Sequence, residues 1–266
     1  MPNIKNPSGL SRIYESYIVD GWFPADFMEN LNTLTLTLIA SAVEEGDICI
    51  DAGANLGRIA FALKTAVGKV GNVICIEPNP QLAEELRKND LYVIEAALVD
   101  FPVDDLEFYQ HVNPDHWDLG SVVPDYLKNF FPQLEQTVEI HKVQGVTLSK
   151  VLRMCHHVKF LKIDIEGLDE QVLLNTYNLN EKVEIIEWEH NYDVSKGIGQ
   201  LLYNHLTSMG YKVYDCFFNE ISEETAINPK IAPINRYAVL ATSPKISVLR
   251  NKVADFWSIA QKSPKT

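Results

Sequence analysis

Cysteines, basic residues and long apolar runs are scarce in this chain of 266 residues, and each scarcity excludes a class of protein. The four cysteines form no CxxC pair, so neither a zinc site nor a disulfide framework is indicated; they are Cys49, Cys75, Cys155 and Cys216. No apolar run approaches the roughly 20 residues of a membrane-spanning helix. Residues 1–9 are polar and lack an apolar leader. We therefore expect a soluble, cytoplasmic protein with buried, reduced thiols.

Positive charge is also in short supply. Lysine and arginine total 23 against 36 aspartates and glutamates, a formal net charge of −13. Because a polyanion would be repelled and no basic patch compensates, nucleic acid is not the expected partner. The 46% of hydrophobic residues is enough for one large core, so a single elaborated domain is expected.

Short apolar runs alternate with helical patterns from residue 45 onwards. This rhythm is typical of an α/β fold, a mostly parallel sheet with helices on both faces. The predicted strands are 48–50, 72–76, 91–95, 159–163, 183–187, 211–217 and 237–241, and the helices between them are 56–66, 80–88, 168–174 and 195–208. The last two strands have no helix between them, which predicts an antiparallel edge.

Three further segments surround or interrupt this domain, which we place at 45–242. Residues 1–44 predict helices at 11–19 and 24–43. Residues 96–157 form an insertion with strand-like runs at 106–112 and 137–143 and an aromatic-rich loop at 117–131. A loop that long predicts a cover over a ligand cleft on the acceptor side, although a plain extension of the sheet is the alternative.

The C-terminal segment, 243–266, predicts an amphipathic helix over 245–260. Its apolar face consists of Ile246, Leu249, Val253, Phe256 and Ile259. Such a face packs on the core or contacts a second copy, so a homo-oligomer is possible.

The most informative motif follows the first strand and reads Asp51-Ala-Gly-Ala-Asn-Leu-Gly57. Dinucleotide-binding loops have the pattern G-x-G-x-x-G, whereas here Asn55 stands in place of the middle glycine, which disfavours NAD. Asp51 puts a carboxylate where a pyrophosphate would be repelled. A ligand with cationic or hydroxyl donors fits better, so the loop favours S-adenosylmethionine (SAM).

Other strand ends carry groups that suit the same ligand, because ligands of open parallel sheets bind beyond the carboxyl ends of the strands. Glu77, in the turn Glu77-Pro-Asn-Pro80, can accept both hydroxyls of a ribose, and we include Asn79 of this turn among the cofactor-binding candidates. After the third strand, the small residue Ala96 leaves room for an adenine ring.

Acidic residues follow the fourth and fifth predicted strands. Asp164 and Glu166 stand two positions apart, which on a strand would point them to the same side, and like charges held close favour a general base. His190 closes Glu187-Trp-Glu-His190, and we expect these acids and the histidine on one cleft edge. Asp164, Glu166 and His190 are therefore the catalytic candidates. Asp164 and Glu166 could ligate a divalent cation, but we predict no metal requirement.

Four motifs together resemble the FkbM family of SAM-dependent methyltransferases. They are Asp51-Ala-Gly-Ala-Asn-Leu-Gly57, Glu77-Pro-Asn-Pro80, Thr147-Leu148 and Leu161-Lys-Ile-Asp-Ile-Glu-Gly167. The resemblance covers about residues 47–190 and implies a Rossmann-like class I methyltransferase fold with a seven-stranded sheet. It also implies that the methionine part of SAM is held by Asp51, Gly53, Asn55 and Gly57. Glu77 would bind the ribose, and Asp164 would meet the SAM amino group or the reacting face. Glu166 would lie beside the acceptor. Ser149 departs from the family, which usually carries Asp there.

The expected activity is methylation of a hydroxyl on a small molecule, a sugar or glycan or a secondary metabolite. The preference for a hydroxyl comes from the resemblance alone. Two alternatives stay open at this point: a SAM-binding module without catalysis and, much less favoured, an NAD-dependent oxidoreductase.

Overall fold

The chain alternates strands and helices, as a computed structural model shows for residues 25–114, 117, 120–124, 126, 138–190, 198–222 and 234–260. The strands are β1 (Ile48–Ala52), β2 (Asn72–Ile76), β3 (Tyr92–Ile94), β4 (Ala97–Val99), β5 (Leu106–His111), β6 (Val138–Val143), β7 (Gly145–Thr147), β8 (Val158–Ile163), β9 (Val183–His190), β10 (Tyr211–Tyr214) and β11 (Ile234–Leu240). The helices are α1 (Ala25–Ala42), α2 (Arg58–Val67), α3 (Pro80–Lys88), α4 (Leu148–Leu152), α5 (Asp169–Leu174), α6 (Ile198–Ser208) and α7 (Ile246–Ala260), with a 3-10 turn at Leu179–Glu181.

Seven strands form the main sheet, in the order β10-β11-β9-β8-β1-β2-β3. Adjacent strands of this sheet pair in parallel, except that β11 runs antiparallel to both β9 and β10. This confirms the predicted seven-stranded, mostly parallel sheet and its antiparallel edge. The chain leaves β1 toward β2 and β3 and later returns to β8 on the other side, so the order of strands switches between β1 and β8.

Two apolar clusters cover the two faces of the sheet. One joins α1, α2 and α7 to the sheet around residues such as Leu34, Leu63 and Trp257, and the other joins α4, α5 and α6 around Leu161, Ile186 and Leu202. The central strands read as continuous apolar runs because both of their faces are buried. Within the described residues, no helix has both the length and the apolar composition needed to cross a membrane.

The insertion adds two small sheets beside the main one. β5 pairs with β6 in antiparallel fashion, close to the predicted strands, and β4 pairs with β7 in parallel, which was not predicted. Three-residue strands are too short for an alternation pattern to show. Much of the predicted aromatic loop, including 127–131, lies outside the described residues.

Helices α1 and α7 pack against each other and on the same face of the sheet. The buried residues of α7 are Leu249, Val253 and Trp257, whereas Ile259 is 66% exposed, so the predicted apolar face was wrong by one residue at its C-terminal end. The predicted helix at 11–19 lies outside the described residues. The division into an extension, a core domain and a C-terminal helix stays a prediction.

Strand boundaries differ from the predictions at two places that matter. β9 continues to His190, three residues past its predicted end. β10 ends at Tyr214 instead of 217, because Asp215 Oδ1 accepts hydrogen bonds from the backbone N–H groups of Phe217 and Asn219 and turns the chain there.

Candidate active site

A cleft of about 480 Å³, including its open mouth, lies over the carboxyl ends of β1, β2 and β8, beside the switch in strand order. This is where ligands of open α/β sheets bind. Its lining from the sheet and its loops is Gly53, Asn55, Ile76, Glu77, Pro78, Ala97, Leu98, Asp164, Ile165 and Glu166. The structure thus brings five of the predicted site residues together at one cleft: Gly53, Asn55, Glu77, Asp164 and Glu166.

The β1 loop passes against the β8 loop so closely that Gly53 admits no side chain. Its φ is +76°, and a Cβ built there would stand 1.7 Å from the carbonyl oxygen of Asp164. Gly53 N donates to Ile76 O at 2.9 Å, and Asp164 N donates to Ala52 O at 3.0 Å. These contacts lock the loops after β1, β2 and β8 into one rim.

Asp51 and Gly57 lie at the two ends of this loop and do not line the cleft. Gly57, with φ +84°, starts α2 with Leu86 and Phe61 packed around it. Asp51 is 1% exposed, and neither of its carboxylate oxygens has a hydrogen-bond partner among the described residues. Burial raises its pKa to about 6, although the positive charge of Lys162 opposes the shift.

Glu77 sits at the centre of the rim with both carboxylate oxygens engaged. Oε2 accepts from Asn55 N at 2.8 Å, and Oε1 accepts from Asn79 N at 2.9 Å. Burial raises its pKa to about 7, and these two backbone hydrogen bonds oppose the shift. Each carboxylate oxygen can accept a second hydrogen bond, so Glu77 keeps capacity for a ligand's hydroxyl groups.

Asn79 and Ala96 have structural positions behind the cleft. The Asn79 side chain caps α3, with Oδ1 accepting from the backbone of Gln81 and Leu82, while Nδ2 donates to Gln110 Oε1 at 3.0 Å. Ala96 is buried in the core. The small apolar residues that do line the cleft are its neighbours in sequence, Ala97 and Leu98.

Asp164 and Glu166 lie in a loop rather than on a strand, because β8 ends at Ile163. The predicted strand alternation is therefore wrong for this pair, and Glu166 has a left-handed backbone with φ +56°. Asp164 Oδ2 accepts from Lys162 Nζ at 2.9 Å. Burial lowers the pKa of Lys162, but the charges of Asp164, Asp51 and Glu187 outweigh it and raise this pKa overall. Lys162 is therefore a fixed buried cation beneath the rim.

Glu189 completes a cluster that sequence reasoning did not assign. One carboxylate oxygen each of Asp164, Glu166 and Glu189 lies within 4.8 Å of the others, and we call these three the carboxylate cluster. Burial and the neighbouring charges raise the pKa of Glu189 to about 8, and burial together with Glu189 and Asp164 raises that of Glu166 well above its usual value. Glu189 lies two residues after Glu187 on β9, so the two side chains share a face of the sheet. The sequence would have indicated this only if β9 had been predicted to continue past residue 187.

His190 is not brought to the carboxylate cluster. Because β9 runs to His190, alternation puts Trp188 and His190 on the face opposite Glu187 and Glu189. The expectation that these acids and the histidine share one edge was therefore wrong. His190 is 4% exposed, and its Nδ1 lies 2.7 Å from Glu170 Oε1 in a separate small cavity.

The insertion closes the cleft from the other side with Phe108, Trp117, Gly120 and Val122. It is fastened to the β8 loop at Glu166 by two hydrogen bonds. Ser121 Oγ donates to the Glu166 carbonyl oxygen at 2.6 Å, and the Tyr126 hydroxyl donates to Glu166 Oε2 at 2.5 Å. These residues of the insertion thus lie at the cleft, and the role of the insertion on the acceptor side stays a prediction.

The carboxylate cluster could also hold a divalent cation, since hard cations prefer several oxygen ligands. Lys162 already offers one positive charge to Asp164, and Tyr126 already occupies one oxygen of Glu166. The absence of a metal requirement stays a prediction.

The arrangement defines a class of protein. A seven-stranded sheet with one antiparallel strand beside its edge, and a ligand cleft at the β1–β8 switch, is the class I methyltransferase architecture. The family model described as the Methyltransferase FkbM domain matches residues 51–213, more than half of the chain. The chain belongs to the FkbM methyltransferase family.

Several solved structures are similar to this chain at low sequence identity. An FkbM methyltransferase from Methylobacillus flagellatus KT is 15% identical with a TM-score of 0.43, over 73% of this chain and 43% of that one. Aeropyrum pernix fibrillarin, solved with bound S-adenosyl-L-methionine, is 14% identical with a TM-score of 0.39, over 78% and 74%. A SAM-dependent O-methyltransferase from Thermotoga maritima is 13% identical with a TM-score of 0.41, over 88% and 71%. A search of curated proteins gave no match.

Proposed function

We propose that this protein transfers the methyl group of SAM to a hydroxyl group of a sugar, a glycan or a secondary metabolite. One observation supports this above all: in a member of the FkbM family, the groups after β1, β2 and β8 converge on one cleft. When bound, SAM supplies a methyl group activated by its positively charged sulfur. Net charge −13 supports a neutral or small acceptor over a nucleic acid.

In this proposal, different residues of the cleft contact the methionine part, the ribose and the adenine of the cofactor. Gly53 and Asn55 approach the methionine part of the cofactor with backbone, and Glu77 accepts hydrogen bonds from the ribose hydroxyls. The apolar Pro78 and Leu98 offer flat surfaces for the adenine. The buried, underused acceptors of Glu77 are what make this fit specific to a ligand with vicinal hydroxyls.

Glu166 is the general base that the geometry favours. It lines the cleft, and its raised pKa makes its ionised form a stronger base than an ordinary carboxylate. The hydrogen bond from Tyr126 holds Oε2 and leaves Oε1 to take the proton of the acceptor hydroxyl as that oxygen attacks. Alignment of the acceptor supplies much of the remaining rate enhancement.

Calorimetry with SAM and with NAD tests the cofactor. We expect SAM to bind with a micromolar dissociation constant and NAD not to bind, and the reverse result would support the oxidoreductase alternative. Glu77→Ala should weaken SAM binding at least about tenfold, the value of one charge-assisted hydrogen bond. Glu95→Ala is the matched control, because Glu95 is a partly exposed glutamate paired with Arg87 on the surface. Equal affinities of both variants would refute the ribose assignment.

Methyl transfer from labelled SAM to a panel of sugars, glycans and phenolic or polyketide alcohols tests the reaction. Glu166→Gln should reduce turnover by about 10² or more while the SAM affinity changes little. If turnover survives, the base lies elsewhere, with Asp164, Glu189 and His190 as the next variants to measure. Tight SAM binding without transfer to any acceptor would favour the non-catalytic alternative.

A further inference from the structure

Glu166 has a backbone conformation that its residue type disfavours. Its φ is +56°, in the left-handed region. Within the described parts of the chain, six non-glycine residues have positive φ, and four of them are Asn or Asp, which adopt this conformation more readily than Glu does. Such a conformation persists only where the surrounding structure imposes it, and residues of this kind cluster at functional sites. The contacts of Glu166 therefore show what fixes it at the cleft.

Ser121, in the insertion, holds the main chain of Glu166. Its Oγ donates to the Glu166 carbonyl oxygen at 2.6 Å and accepts from the backbone N–H of Val123 at 3.0 Å. Because a carbonyl oxygen can only accept, the hydroxyl proton of Ser121 points to Glu166. Ser121 is itself fixed to β5, since its N donates to Tyr109 O at 3.0 Å and its O accepts from Tyr109 N at 2.8 Å. It is 1% exposed, so water does not compete for its hydroxyl.

Tyr126, five residues further along the insertion, holds the side chain of Glu166. Its hydroxyl donates to Glu166 Oε2 at 2.5 Å, and its N donates to Val123 O at 3.2 Å, which closes a turn after Ser121. The Tyr126 ring also packs on Gly167, where an added Cβ would stand 3.1 Å from Tyr126 Cδ2. One short part of the insertion thus fixes both the main chain and the carboxylate of Glu166.

We propose that Ser121 is a positioning residue for methyl transfer. By holding the Glu166 carbonyl oxygen, it keeps the left-handed backbone that directs the Glu166 carboxylate to Tyr126 and to the acceptor hydroxyl. This rests on the proposed role of Glu166 as the general base. Ser121 is not part of the cleft lining, so it acts through Glu166. Without its hydroxyl, Glu166 relaxes toward a commoner backbone conformation, and a small misplacement of the base is enough to slow the reaction.

Steady-state kinetics of Ser121→Ala test this, with SAM and the alcohol of the panel above that gives the highest turnover. We expect kcat to fall about 5–20-fold, while the KM of the alcohol and the affinity for S-adenosylhomocysteine change less than about twofold.

Ser243→Ala is the matched control. Ser243 Oγ also accepts from a backbone N–H two residues on, that of Lys245, and also donates to a glutamate, Glu184 Oε1, at 2.6 Å. Glu184 lies near the start of β9, whereas the cleft lies over the carboxyl ends of the strands. The kcat of Ser243→Ala should therefore equal that of the unmodified protein.

The Glu166→Gln background separates positioning from a general structural role. Once the carboxylate is gone, Ser121→Ala should lower the residual turnover no further, because its effect passes through that carboxylate. An equal loss in both backgrounds would overturn the proposal, and so would an unchanged kcat of Ser121→Ala.

Ser121→Cys keeps the test decisive if the alanine variant does not fold. It nearly preserves the shape of serine and offers only a weak donor, so its kcat should lie between those of serine and alanine, and full turnover would overturn the proposal. Full turnover of Glu166→Gln would overturn it as well, while leaving methyl transfer intact. Failure of the unmodified protein to methylate any alcohol of the panel would instead refute the proposed function.

Discussion

Replacing Glu189 by glutamine should make the ligand-free protein more stable at alkaline pH. Glu189 sits in the carboxylate cluster beside Asp164 and Glu166, with no positively charged side chain in the cluster itself. Burial, then the charges of Asp164 and Asp169, raises its pKa from 4.5 to about 8. The folded protein is therefore destabilised whenever this group is ionised.

The sign of the pH dependence follows from proton binding. Between about pH 4.5 and pH 8 the folded chain keeps a proton on Glu189 that the unfolded chain has released. Stability consequently falls as pH rises through this interval, by ~1.4 kcal/mol per pH unit for each such proton. Glutamine cannot ionise, so Glu189→Gln removes this component. We expect the variant to be more stable by about 2–4 kcal/mol at pH 8 and unchanged near pH 5.

Urea unfolding of the ligand-free protein from pH 5 to pH 8 measures the difference between variant and unmodified chain. Other buried acids titrate in the same range, such as Glu77 and Glu187, whose pKa values burial raises to about 7. Their contribution to the free energy of unfolding is the same in both proteins, so it cancels in the difference at each pH. Glu181→Gln, on an exposed glutamate, is the control. Stability curves of Glu189→Gln and the unmodified protein that run parallel over this range would refute the reasoning.

Three further outcomes are expected. Gly53→Ala should lower the free energy of unfolding by about 3 kcal/mol or more, because the added Cβ meets the Asp164 carbonyl oxygen. The control Gly210→Ala, also at positive φ but in open space, should lower it by only about 1 kcal/mol, and chemical denaturation measures both. Tyr126→Phe should raise the acidic limb of the kcat pH profile by about one unit, because the Tyr126 hydrogen bond favours ionised Glu166; an unmoved limb argues against Glu166 as the base. Chelation by EDTA should leave turnover unchanged; loss of activity that Mg²⁺ restores would make the carboxylate cluster a metal site.

The sequence predicted those strands, helices and turns whose pattern is contained in their own consecutive residues. The buried parallel strands read as apolar runs, and the loop from Asp51 to Gly57 carried its turn chemistry in its own residues. The C-terminal helix was found, but the last residue of its predicted apolar face was wrong, because Trp257 and Ile259 are both apolar and only packing decides that Trp257 is buried and Ile259 exposed. Strands β4 and β7 were missed because three residues carry no periodicity.

Roles within the site were harder to predict than its location. Asn79 was grouped with the cofactor-binding candidates because it follows Glu77 in the turn, yet its side chain caps α3 and donates to Gln110. His190 was grouped with the acids near it in sequence, and the length of β9 sends it to the other face of the sheet. The end of a strand depends on its partner, and β9 continues to His190 because β11 pairs with it that far.

The sequence by itself determined the class of this protein, because the Asp51–Gly57 loop, Glu77 and the Asp164–Glu166 loop are each encoded within a few consecutive residues. Only the tertiary structure decided which of these groups meet. Glu189 joins Asp164 and Glu166 because β8 and β9 are neighbours in the sheet, and Trp117 joins Glu77 at one cleft because the insertion folds back across the rim. Contacts between residues far apart in the chain arise from strand order and packing, and no local pattern specifies them.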